Sequence, residues 1–86
     1  MALFLVERNF DEQVEISNEG FRQIKDVTDE LGADWLFTFL SADKKKAYCL
    51  YEAKDTEQLR EHAKVVGLPA DSILEVNKAW PLTEPD

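Results

Sequence analysis

Histidine and cysteine occur once each in these 86 residues, as His62 and Cys49, and glycine and proline only three times each. A lone cysteine cannot close an intrachain disulfide, so no redox framework holds this fold. Neither a paired-cysteine metal motif nor a His-x-x-x-His clasp is present. No Ser-His-Asp order and no glycine-rich phosphate loop appears either. Basic side chains are scarce: ten against eighteen acidic ones leave a net charge of −8. Such a chain repels a phosphate backbone, and its basic cluster, Lys44-Lys45-Lys46, reads as a solvated turn. Nucleic acid is therefore disfavoured as a partner. No apolar run approaches the roughly 20 residues that cross a bilayer. The short run Ala2–Val6 lacks the basic flank and length of a signal peptide. These absences predict a cytoplasmic protein with neither membrane nor nucleic-acid partners.

What is present is a foldable core. Hydrophobic residues make up 44% of the chain, with five Phe, two Trp and two Tyr. The length predicts one domain over residues 1–80, followed by a short acidic tail, 81–86. Two helices are well punctuated. The first follows Ser17-Asn18-Glu19-Gly20, where Ser17 or Asn18 can cap it. Its apolar stripe is Phe21, Ile24, Val27, Thr28 and Leu31, and Gly32 supplies a left-handed stop. The second opens on Asp55-Thr56-Glu57-Gln58, a capping-box pattern. Its stripe is Leu59, His62, Ala63 and Val66, and Gly67 ends it ahead of Leu68-Pro69.

Four strands are predicted over 2–10, 35–42, 45–53 and 72–80, with SADKKK as a hairpin link between the middle two. Strand–helix–strand, repeated, is an α+β split βαβ arrangement, the ferredoxin-like βαββαβ fold. Right-handed crossovers then give sheet order 4-1-3-2 with both helices on one face. The strands have no clean polar side. Leu3 and Leu5 share a face with Glu7, against Phe4 and Val6. Trp35, Phe37 and Phe39 oppose Leu36, Thr38 and Leu40. Ala47, Cys49 and Tyr51 oppose Tyr48, Leu50 and Glu52. Two helices cover one face only, which leaves an apolar patch of roughly 350 Å² in projection. The expected cover is a second copy, giving a homodimer through the open sheet face. A covering segment from 11–20 or from Trp80-Pro81-Leu82 is the alternative, and residues 81–85 are also able to lie across a partner's sheet.

Chemistry-bearing residues are few. Glu7, Glu52 and Glu75 share one period-two phase, and antiparallel pairing places Glu7 beside Glu75, with Glu52 at the opposite end. Close carboxylates repel unless a cation, a shared proton or a base such as Arg8 or Lys78 joins them. His62 lies on an apolar stripe, where a packed imidazole is the ordinary outcome. Cys49 lies mid-strand, where a free cysteine is usually a small buried hydrophobe. Glu7, Cys49, Glu52, His62 and Glu75 are the candidate metal ligands, and no residue is assigned a catalytic role.

The blocks Leu3-Phe4-Leu5-Val6-Glu7-Arg8, Tyr48-Cys49-Leu50-Tyr51-Glu52-Ala53, and Arg60-Glu61-His62-Ala63 with Gly67-Leu68-Pro69-Ala70-Asp71 resemble a family of small bacterial proteins. The resemblance spans residue 1 to about 77. It implies a ferredoxin-like fold and a homodimer, and one actinobacterial relative is regarded as a nickel-binding protein with ions at the dimer surface. The leading functional expectation is a non-enzymatic homodimer that binds a divalent transition metal such as nickel. One alternative is a monooxygenase- or isomerase-like dimeric α+β barrel, with Tyr48, Tyr51, Trp35 and His62 lining a pocket and His62 as general base. A protein-interaction module is the other.

Overall fold

The computed structural model describes residues 1–15 and 17–79. The order is β1 (Ala2–Asn9), α1 (Asn18–Glu30), β2 (Asp34–Leu40), β3 (Lys46–Ala53), α2 (Thr56–Val66) and β4 (Ser72–Val76). The four strands form one antiparallel sheet ordered β2-β3-β1-β4, which is the ferredoxin-like topology expected from the sequence.

The punctuation residues act as their chemistry dictates. Ser17 accepts from the Gly20 amide at 3.0 Å and caps α1. Asp55 accepts from the Gln58 amide at 2.9 Å and caps α2. Gln58 reaches back one residue further than a capping box requires: its Oε1 accepts from the Lys54 amide at 2.7 Å. Its Nε2 donates to the Leu31 carbonyl, so one side chain ties the start of α2 to the end of α1. Gly67 closes α2 at φ +71°, and the Leu68 amide bonds back to Ala63.

Alternate residues on the central strands form the core. Phe4 and Val6 on β1, and Ala47, Cys49, Tyr51 and Ala53 on β3, are all buried beneath the helices, joined by Leu59 of α2. On β2 the expected alternation fails. The pairing of β2 with β3 slips between Trp35 and Phe37, so that Leu36 is an extra, unpaired residue. Trp35 consequently points to the helix side with Thr38 and Leu40, whereas Phe37 and Phe39 point away. The expectation that Trp35, Phe37 and Phe39 share a face is corrected by this bulge. The fourth strand is also shorter than expected, ending at Val76 rather than at Trp80. Trp80 and the 81–86 tail lie outside the described residues.

Candidate functional site

The face turned away from the helices carries three cross-strand rows. The central row is Phe37, Leu50, Leu5 and Leu74, wholly apolar across all four strands. Phe37 and Phe39 are each 57% exposed and Leu74 is 58% exposed, values well above those of ordinary core side chains. The row on one side reads Phe39, Tyr48, Glu7, Ser72, and the row on the other reads Asp34, Glu52, Leu3, Val76. An apolar band thus runs between two carboxylate-bearing margins.

The two margins differ in how their charge is met. Glu7 takes Lys46 Nζ at 3.6 Å and accepts from Asn9 Nδ2 at 3.2 Å, so its charge is partly answered within the protomer. Asp34 and Glu52 are direct cross-strand partners, and among the described residues neither takes part in an ion pair. Facing side chains in an antiparallel pair sit about 5 Å apart at Cβ, where like charges repel. Asp34 was missed in the sequence because ordinary alternation opposes Trp35, not Asp34, to Glu52. Only the extra residue at Leu36 slides Asp34 into that place.

The five residues expected to ligate a metal do not converge. Glu7 and Glu52 share the open face but stand four residues apart along the β1–β3 pair, about 13 Å. Glu75 opposes Phe4, on the helix side of the sheet, while Glu7 opposes Ser72. The expected Glu7–Glu75 pairing is therefore corrected: the register of β4 puts them on opposite faces. Cys49 and His62 are buried. Among the described residues no group of three His, Cys, Asp or Glu side chains is placed to hold a metal ion.

The core has its own polar chemistry. Arg8, 2% exposed, donates from Nη1 to the Pro69 carbonyl at 2.6 Å and from Nη2 to the Tyr51 hydroxyl at 3.0 Å. Burial opposes the guanidinium charge, but Tyr51 and Cys49 outweigh it and hold its pKa above the ordinary value. Burial pushes the Tyr51 hydroxyl up to about 12, against the pull of Arg8. His62 is fully buried, with its ring 5.3 Å from that of Tyr51, edge to face. Its Nε2 lies 2.7 Å from Thr28 Oγ1, which itself donates to the Ile24 carbonyl at 2.7 Å. With the threonine proton given to Ile24, the tautomer that satisfies this contact is the one protonated at Nε2, and we assign it; Nδ1, which has no hydrogen-bond partner, is then the bare lone pair. Burial, then the charge of Arg8, pushes His62 down to about 4. A neutral imidazole sealed beside a buried guanidinium is a poor place for a dication, so Cys49 and His62 do not fit as ligands.

Among the described residues, Tyr48, Tyr51, Trp35 and His62 do not come together around one pocket between helices and sheet. Tyr48 faces the open side, opposite Glu7. Beside Arg8, Cys49 and Tyr51 there is a cavity of about 20 Å³, space for one water-sized molecule, and His62 is not among its walls. A wider concavity of about 430 Å³ opens at the β2 edge between Phe21, Trp35, Leu36, Phe37, Thr38 and Leu40, none of them an acid or base. His62 has no exposed surface from which to accept a substrate proton.

Comparisons with known proteins bear on this arrangement. No curated protein matches the chain. The crystal structure of SCO4226 from Streptomyces coelicolor A3(2) is similar, with a TM-score of 0.69 at 18% identity, covering 96% of this chain and all of that one. That likeness supports the fold. A family model described as nickel responsive protein SCO4226-like matches residues 4–76, the whole span from the first buried residue of β1 to the end of β4. The chain belongs to the nickel responsive protein SCO4226-like family.

Proposed function

We propose that this protein is a nickel-binding homodimer, in which two copies close their open sheet faces on each other and the carboxylate margins of those faces supply the cation ligands. The observation that carries the reading is the Asp34–Glu52 cross-strand pair, two adjacent carboxylates on the rim of an exposed apolar band. Within one protomer this pair is too small a donor set for a metal. A two-fold interface presents every donor twice, so dimerisation doubles the carboxylates available. Membership of a nickel responsive family supports nickel as the cation. The net charge of −8 favours accumulation of any cation near the surface. Carboxylates favour hard ions, but for a given donor set nickel binds more tightly than manganese or iron in the divalent series. The interface itself needs no metal. The apolar row Phe37, Leu50, Leu5 and Leu74 supplies the hydrophobic term when two sheets stack about 10 Å apart.

Calorimetric titration with Ni²⁺ and Mg²⁺ tests the reading. Nickel binding tighter than magnesium by at least about tenfold, and lost in Asp34→Asn/Glu52→Gln, is the expected result, since the donor set orders these ions differently. Equal, millimolar binding of both ions, unchanged in the double variant, would reduce the effect to surface charge and overturn the assignment.

A further inference from the structure

The buried polar side chains among the described residues are Arg8, Thr28 and His62, and no carboxylate is buried with them. His62 occupies the middle of the stripe by which α2 packs, between Leu59 and Ala63, the other two buried residues of that helix. Its imidazole reaches α1 through Thr28 and β3 through the ring of Tyr51. Behind Tyr51 stands Arg8 of β1, which also holds the Pro69 carbonyl in the segment leading from α2 to β4. One imidazole therefore contacts both α1 and β3, the elements against which α2 chiefly packs.

We propose that His62 is a proton-operated latch: neutral, it docks α2 against α1 and the sheet, and on taking a proton at Nδ1 it releases that helix.

The balance is simple. The neutral ring donates once, from Nε2 to Thr28, and its Nδ1 lone pair is buried without a donor. A proton at Nδ1 adds a second donor with no acceptor within reach, and a second cation in a core that already holds Arg8. The groups facing His62 offer no counter-charge. From α1 it meets the Thr28 hydroxyl, and the neighbouring Lys25 and Asp29 pair with each other in solvent. From β3 it meets Tyr51, with Cys49 beyond, and from β1 Arg8. The charged residues of α2 nearest to it, Arg60, Glu61 and Lys64, are on the exposed side of the helix. A buried cation with no partner is relieved only by exposing it, and exposing His62 means lifting α2. The direction agrees with the lowered pKa of about 4: the released state binds the proton near 6.5, the docked state does not, and docking weakens as pH falls between those values.

The latch is independent of nickel and is tested on the whole chain by hydrogen exchange, corrected for intrinsic rates, at pH 7 and pH 4.5. The expected result is that α2 amides gain on the order of a hundred-fold in opening between the two pH values, while β1 and β3 amides remain the slower set. His62→Gln keeps a neutral donor for Thr28 and removes the titration, so its α2 amides should lose that pH-dependent gain relative to wild type. Exchange of α2 together with the sheet at pH 4.5, or an unchanged pH dependence in His62→Gln, overturns the latch. Should the variant fail to fold, NMR titration of the wild-type imidazole decides. A ring that stays neutral to below pH 5 in the docked state upholds the proposal, and one that titrates near 6.5 without exposing α2 removes it.

Discussion

Replacing Phe37 by lysine should convert the proposed dimer into a monomer without unfolding the chain. A phenylalanine side chain presents about 200 Å² when fully exposed, and Phe37 shows 57% of its surface, so about 115 Å² waits to be covered. At about 25 cal/mol per Å² this is about 3 kcal/mol for one copy. A two-fold interface counts the residue twice, giving about 6 kcal/mol for the dimer and about four orders of magnitude in dissociation constant. The lysine ammonium adds a desolvation cost on top of this loss. Sedimentation velocity across the micromolar range is the assay. Wild type should sediment as a dimer and Phe37→Lys as a folded monomer. Val65→Lys, at an exposed apolar position on α2, should remain a dimer because it lies outside the sheet face. A wild-type chain that is monomeric and folded at about 50 μM, or a Phe37→Lys dimer of unchanged strength, would refute the reasoning, since a loss of about 6 kcal/mol must appear as a weaker dissociation constant.

Two predictions concern stability. Tyr51→Phe removes the acceptor for Arg8 Nη2 in a site with almost no water, which should cost about 2–3 kcal/mol in urea unfolding; a change below about 0.5 kcal/mol would show that Arg8 finds another acceptor. Gly67→Ala places a Cβ in open space but at φ +71°, so the cost of about 1 kcal/mol in thermal or urea unfolding is purely conformational, and Gly67→Asn should recover part of it.

Much of this molecule was legible residue by residue. Ser17, Asp55 and Gly67 mark helix ends because each satisfies a backbone group or a dihedral that few other residue types can. The alternation in Ala47–Ala53 and Ala2–Asn9 was readable because side chains on a regular strand must alternate. The same rule misled on β2, where one extra residue at Leu36 reverses the phase of Asp34 and Trp35 relative to Phe37. It misled again for Glu75, whose face depends on the offset at which β4 pairs with β1.

Local sequence determined the element order, the helix ends and the surplus of apolar surface on both sides of the sheet, since these follow from backbone capping, side-chain period and hydrophobic content within a few neighbouring residues. The tertiary structure alone decided which carboxylates meet, that Asp34 rather than Glu75 has an acidic neighbour, and that His62 is sealed against Thr28 and Tyr51 instead of facing a ligand. Those outcomes depend on strand offset and helix placement, which are settled by contacts between segments far apart in the chain and leave no mark in the spacing of nearby residues.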